Sequence, residues 1–167
     1  FGLAARIAWV DHDAYGAGQR NIAELYEYWV FFQLLSSICN VSGLPVPVAN
    51  SLLKPTPGGF EVRLRRGKPS TVTGRVVQSE GALAFSLSYN RTFSPSPSRM
   101  TGSWTRALRP DCTLSLWPAS LSESEAEDRQ EMVHVHFDAK YRVDSIENET
   151  FKVDDILKMH AYRDAIR

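Results

Sequence analysis

The 167-residue chain carries 19 Lys+Arg against 19 Asp+Glu, with 43% hydrophobic and 11% aromatic residues, a make-up that excludes a disordered, fibrous or collagen-like protein and fits one globular domain. Zero formal charge supplies no long-range field toward nucleic acid or membrane, so polyanion binding must come from a local patch. No apolar run approaches the roughly 20 residues of a bilayer span, and Phe1–Val10, with Arg6 in its middle and Asp11 after it, does not read as a signal peptide, so a soluble, cytoplasmic protein without membrane contact is expected.

The chain does not begin with Met and still reads as helix over Ala161–Arg167, so it is expected to be a piece of a longer protein. Asn21 and Glu24 resemble a capping box, and Ile22, Leu25, Tyr26, Trp29, Phe32 and Leu35 follow at helical spacing. A helix ending before Gly43 is expected. Leu44–Gly59 holds Pro45, Pro47, Pro55 and Pro57, which disfavour regular structure and predict a connection. The period then becomes two. Phe60, Val62 and Leu64 alternate with Glu61, Arg63 and Arg65, and Thr71–Gln78 and Leu83–Phe93 complete an antiparallel meander. Residues 44–80 are expected as a hairpin appendage, and Ser94–Ser103, alternating Ser with Pro, as a flexible loop.

Two later strands, Arg109–Trp117 and Met132–Val143, flank an acidic loop over Ala119–Glu131 that reads as a solvated hairpin tip. Val153–Arg167 is a helix whose acidic start, Asp154 and Asp155, and basic end, Arg163 and Arg167, suit the macrodipole. The class is α+β, with a mixed sheet flanked by helices. Cys39 and Cys112 are too few for a disulfide framework or zinc site and should be reduced and buried.

Strand parity singles out the chemistry. In Met132–Tyr141, Val133, Val135, Phe137, Ala139 and Tyr141 share one face, and His134, His136, Asp138 and Lys140 share the other. Asp111, Thr113 and Ser115 likewise share a face. If these two strands pair, Asp111 meets Asp138 and Lys140. Converging carboxylates repel unless a cation or proton intervenes, and hard oxygen ligands suit Mg²⁺. A lysine on the same side can orient a water or stabilise charge at phosphorus. The plainer alternatives are a strand that starts at Asp111 from a turn and an ordinary Asp138–Lys140 ion pair.

Pro110-Asp111, 26 intervening residues and Asp138-Ala139-Lys140 resemble the PD-(D/E)xK nuclease superfamily. The strings LYEYW, LRPDCTL, HFDAKYR and DDILKMHAYRDAI resemble its McrC-like restriction nuclease branch. The resemblance covers roughly Asn21 to Arg167 and implies a restriction-endonuclease-like core of N-terminal helix, β-meander and C-terminal helix, its final strand missing from this chain. It implies an endonuclease that cuts DNA within a restriction or phage-defence system, in the company of an NTPase or other domains and in an oligomer of unspecified size. Asp111, Asp138 and Lys140 would be catalytic. Asp111, Asp138, the Ala139 carbonyl and Glu27, with Glu24 as competitor, would hold Mg²⁺, for which Mn²⁺ would substitute. Where the family often places Gln and Tyr in the second helix, this chain has Lys158 and Tyr162. The runner-up is a catalytically weak module that keeps the fold for DNA binding or docking.

Lys158 falls within the apolar arc of its helix, so its ammonium either snorkels or meets an internal anion; the second is expected, with Lys158, Tyr162 and Tyr141 beside the substrate. His134 and His136 could bind a transition metal but lack a third local ligand, and read as polar residues near the site. His160 reads as solvated. Arg63, Arg65, Arg66, Lys68 and Arg75 form the basic cluster: either a solvated hairpin or phosphate contacts, with Arg63, Arg65 and Arg66 the DNA-binding candidates. The four tryptophans read mostly as core.

Overall fold

The computed structural model describes residues 14–47, 52–55, 62–64, 71–78, 81–95, 102–140 and 153–167. Helix α1 spans Ala14–Ser42, so it starts before Asn21 and no cap forms there. The capping box lies elsewhere, at Ser122 and Glu125, where it opens a short helix α2, Glu123–Asp128, inside the segment expected as a solvated tip. Strands β1 (Leu53–Pro55) and β2 (Val62–Leu64) pair as their own two-stranded sheet. β1 lies within the proline-rich connection, where Pro55 is tolerated as the last residue of an edge strand.

The main sheet runs β3 (Thr71–Gln78), β4 (Gly81–Tyr89), β5 (Cys112–Pro118) and β6 (Val133–Phe137) in sequence order, and each of these pairings is antiparallel. Thus 71–78, expected within the appendage, is part of the main sheet. The expected mixed sheet is not seen among the described residues: every strand pairing is antiparallel, and the parallel contact Pro95–Ser103 is an isolated bridge outside the strands. Helix α3, Val153–Ala165, follows. The expected order of long helix, meander and C-terminal helix is therefore present.

Period-two patterning sorts the sheet into an apolar and a polar face. One face presents rows such as Val72–Leu87–Leu114–Val135, and α1 lies against it through Phe31, Leu35 and Cys39, packed with Leu87, Tyr89 and Cys112. Side chains four apart on a helix share a face, so Glu27, Phe31, Leu35 and Cys39 form the inward line. The expected stripe holds in part: Leu35 is in the core and Phe32 packs against it, but Leu25 and Trp29 are exposed, at 44% and 56%. The stretch is apolar on several sides, and spacing alone did not decide which line turned inward. Gly74 permits this packing, because a Cβ there would stand 2.5 Å from Leu44 Cδ1 and 2.6 Å from the Phe85 ring.

The other face carries Thr71–Ser88–Thr113–His136 and Thr73–Ser86–Ser115–His134. Beyond the strands, Phe93 bridges Leu108, and Ser103 bridges both Pro95 and Ile166. The segment expected as a flexible loop is thus tied at both ends, and 96–101 lie outside the described residues. Both cysteines are buried and unbridged. Trp117 is core, but Trp104, like Trp29, is exposed, with the Arg167 guanidinium 3.7 Å from its ring centre. No described helix is long and apolar enough to cross a membrane.

Candidate active site

The last rung of the β5–β6 ladder pairs Cys112 with Phe137, so Asp111 and Asp138 stand opposite each other one step beyond it. Both expected strands were too long: β5 begins after Asp111 and β6 ends before Asp138. Parity nevertheless holds through the strand ends. Where the ladder stops, the Ala139 N–H donates to Asp111 Oδ2 at 2.8 Å. A side-chain carboxylate takes the place of a ladder carbonyl.

Asp111 is 9% exposed. Burial, followed by the charges of Asp138 and Glu27, pushes its carboxyl up to about 6, against the opposing effects of the Ala139 N–H and Lys158. The Asp138 side chain is 3% exposed, with Lys140 Nζ 2.5 Å from Oδ2 and Lys158 Nζ 2.5 Å from Oδ1. Burial works to raise Asp138, but hydrogen bonds from the two lysines overcome it and hold the carboxyl below its ordinary value. Lys158 therefore does not merely snorkel: it meets an internal anion. Burial would lower its pKa, whereas hydrogen bonds with Asp138 and Tyr162 raise it above the usual lysine range.

Tyr162 is buried, donates from its hydroxyl to the Arg109 carbonyl at 3.3 Å, and sets its ring edge-on to His136. Burial raises its pKa, opposed by Lys158. Lys140 lies on the exposed rim. Glu27 reaches the site from the inward line of α1, and its Oε2 accepts the Tyr89 hydroxyl at 2.7 Å. Glu24 instead accepts the Tyr28 hydroxyl. Both bear on Tyr89, but Glu27 is the helix carboxylate whose charge acts on Asp111. Tyr89 went unnoticed in the sequence, where it reads as one more core aromatic; nothing local marks a hydroxyl whose partner lies 62 residues away.

Among the described residues, no three His, Cys, Asp or Glu side chains are grouped closely enough to hold an ion by themselves. The oxygens that the resemblance assigns to an ion belong to Asp111, Asp138, Glu27 and the Ala139 carbonyl. This hard-oxygen set fits a divalent cation of the Mg²⁺ type. Burial raises Asp111 most, and the repulsion from Asp138 and Glu27 that adds to it is what such a charge would relieve.

His134 and His136 stack 5.9 Å apart. Ser115 Oγ lies 2.9 Å from His134 Nδ1, and Thr113 Oγ1 lies 3.1 Å from His136 Nδ1. Burial, before nearby positive charge, lowers both rings to about 4. They are neutral supports of the polar face, and hydroxyls rather than a metal take their Nδ1 atoms. His160 is exposed, as expected. Tyr141, Arg65, Arg66 and Lys68 lie outside the described residues, as does the side chain of Arg63, whose backbone is in β2; Arg75 is exposed on β3.

The sequence matches the family model for the PD-(D/E)XK nuclease superfamily over residues 24–167. The chain belongs to that superfamily. No curated protein and no solved structure matches it significantly. The matched span takes in α1 from Glu24 onward, the whole main sheet and α3, so the facing aspartates and both lysines fall inside the nuclease domain.

Proposed function

We propose that this nuclease-superfamily domain is a divalent-metal-dependent endonuclease that hydrolyses DNA phosphodiesters, with Asp111, Asp138 and Lys140 as its catalytic residues. The observation that carries this reading is the pairing of Asp111 with Asp138 at the ladder end, with an ammonium group on each Asp138 oxygen. Carboxylates that relied only on each other would protonate; carboxylates that also meet lysines stay charged for a cation and a phosphate.

Asp111, Asp138, the Ala139 carbonyl and Glu27 would hold Mg²⁺, with Mn²⁺ as a substitute. The ion supplies Lewis-acid polarisation of a phosphoryl oxygen. Lys140, at the solvent rim, donates a hydrogen bond to orient the attacking water. Lys158 and Tyr162 form the inner wall and hold a phosphate oxygen through charge and a hydroxyl. Tyr141, Arg63, Arg65 and Arg66 extend the contact along the DNA backbone, where basic groups provide sequence-independent affinity. The strings LYEYW and HFDAKYR support a McrC-like restriction or antiviral-defence role, with an NTPase or other domain as partner.

A second reading is a domain with weak cleavage, retained for DNA binding or docking. It is favoured by the occupation of both Asp138 oxygens by lysines and by the lack of a ready three-residue cage among the described residues. Incubating the purified protein with supercoiled plasmid and Mg²⁺ or Mn²⁺ decides between them. Nicking that EDTA and Lys140→Ala abolish supports the enzyme. Intact plasmid with both ions, under conditions where the protein binds DNA, supports the docking module.

A further inference from the structure

We propose that Lys158 is a built-in competitor of the divalent cation: its ammonium and the ion are alternative counter-charges for Asp138 and Asp111, and binding the ion releases Lys158 toward the substrate phosphate. This rests on the metal-dependent reading above and assigns Lys158 a positioning role that the reading does not require.

Two ammonium groups meet Asp138, but they are not equivalent. Lys140 is two residues away and takes Oδ2; Lys158 arrives from α3 and takes Oδ1. Lys158 also relieves the charge on Asp111. It therefore bonds Asp138 and acts on Asp111 through its charge alone, and an ion that takes Asp138 Oδ1 must replace it there. Its exposure suits this exchange. The Lys158 side chain is 38% exposed while Asp138 is 3% exposed, so the flexible stem can carry its ammonium outward while the carboxylate cannot follow. The Tyr162 ring, its centre 5.5 Å from Nζ in the Asp138-bound position, is a cation–π contact that the ammonium gives up as it moves outward.

Charge balance points the same way. Among the described residues, Asp111, Asp138 and Glu27 face Lys140 and Lys158, which leaves one negative charge. A divalent ion would overcompensate the site while Lys158 stays in place. Without the lysine, two negative charges match the ion.

The test is Mn²⁺ binding, measured by calorimetry at about pH 8, where Asp111 is ionised. A unit charge removed within a few ångströms should tighten the Kd of Lys158→Met by about tenfold or more, even at a high effective dielectric. An equal or weaker Kd in the variant overturns the competition while leaving the metal reading intact. If neither protein binds Mn²⁺, the metal reading fails together with this one. A second measurement needs no substitution: lysine acylation of the wild-type protein, read by mass spectrometry with and without Mn²⁺. Faster modification of Lys158 when the ion is added supports its release. Unchanged or slower modification, or acceleration at Lys140 instead, overturns it.

Discussion

Asp111→Asn should make the protein more stable and inactive at once. In the folded state the Asp111 carboxyl is pushed up from its ordinary 3.8 to about 6, by burial first and then by Asp138 and Glu27. A group whose folded pKa is raised holds its proton when the unfolded chain has already lost it. Stability therefore falls as pH rises from about 4 through about 6, and stays lower above that window. At about 1.4 kcal/mol per pH unit, the cost of ionised Asp111 near pH 8 is about 3 kcal/mol. Asparagine keeps an acceptor for the Ala139 N–H and carries no charge, so this cost disappears. Urea denaturation in EDTA should show an advantage of the variant over wild type that grows by up to about 3 kcal/mol between pH 4 and pH 8. In thermal melts this corresponds to about 6–12 °C for a domain of this size. Under the proposed function, cleavage should be lost, because an oxygen assigned to the metal would be gone. A pH-independent difference, or one that shrinks as pH rises, would refute the electrostatic account of the pair.

Asp138→Asn should behave oppositely. The lowered pKa of Asp138 contributes stability present above its ordinary value and lost as pH falls through the folded value, so the variant should be less stable than wild type near neutrality and equal to it in acid, checked by urea titration at both pH values. It should also lose cleavage while binding DNA at least as well in EDTA, as gel shifts would show. His134, lowered from 6.5 to about 4 by burial, contributes stability that is lost as pH falls below about 6.5; His134→Asn, which can still meet Ser115, should flatten that acid loss by up to about 3 kcal/mol in the same denaturation series. Neutralising Arg63, Arg65 and Arg66 together should weaken DNA binding and reduce the salt slope by about three phosphate contacts, measured by fluorescence anisotropy across a salt series.

The facing aspartates were legible because side-chain parity is a local property that outlives an error in strand length. Both strands end earlier than their alternation suggested, yet a register that pairs Cys112 with Phe137 still carries Asp111 to Asp138. Lys158 was legible for a similar reason: a charge within an apolar helical arc demands a partner, although its identity comes only from the fold. The inward line of α1 was legible at Leu35 and not along the rest of its length. Phe31, Leu35 and Cys39 compete with Leu25, Trp29 and Phe32 on a helix apolar all round, and tertiary packing makes the choice. The helix α2 was hidden by its charge, since Glu123, Glu125 and Glu127 read as solvated loop; the Ser122–Glu125 box that starts it was the available signal. Glu27 was identified but its Tyr89 partner was not, because that hydrogen bond joins elements that only the packing of helix on sheet brings together.

The position of the carboxylates at the end of the ladder has a physical cause. Inside an antiparallel sheet, directly opposed residues lie about 5 Å apart, and like charges there are destabilising with no route for a third group between them. The interior rungs of this face are accordingly neutral: Thr113 meets His136, and Ser115 meets His134, with both rings kept uncharged by burial. One step beyond the last rung, the constraint relaxes. Asp111 can turn to the Ala139 N–H, and α3 can deliver Lys158 to Asp138 from outside the sheet. The two facing carboxylates thereby lie at the end of the β5–β6 ladder. The rungs behind it pair hydroxyls with neutral imidazoles, Thr113 with His136 and Ser115 with His134. The cost of holding Asp111 ionised falls on folding, and a bound divalent ion would return it, so the residues that weaken the empty fold are those expected to bind most strongly.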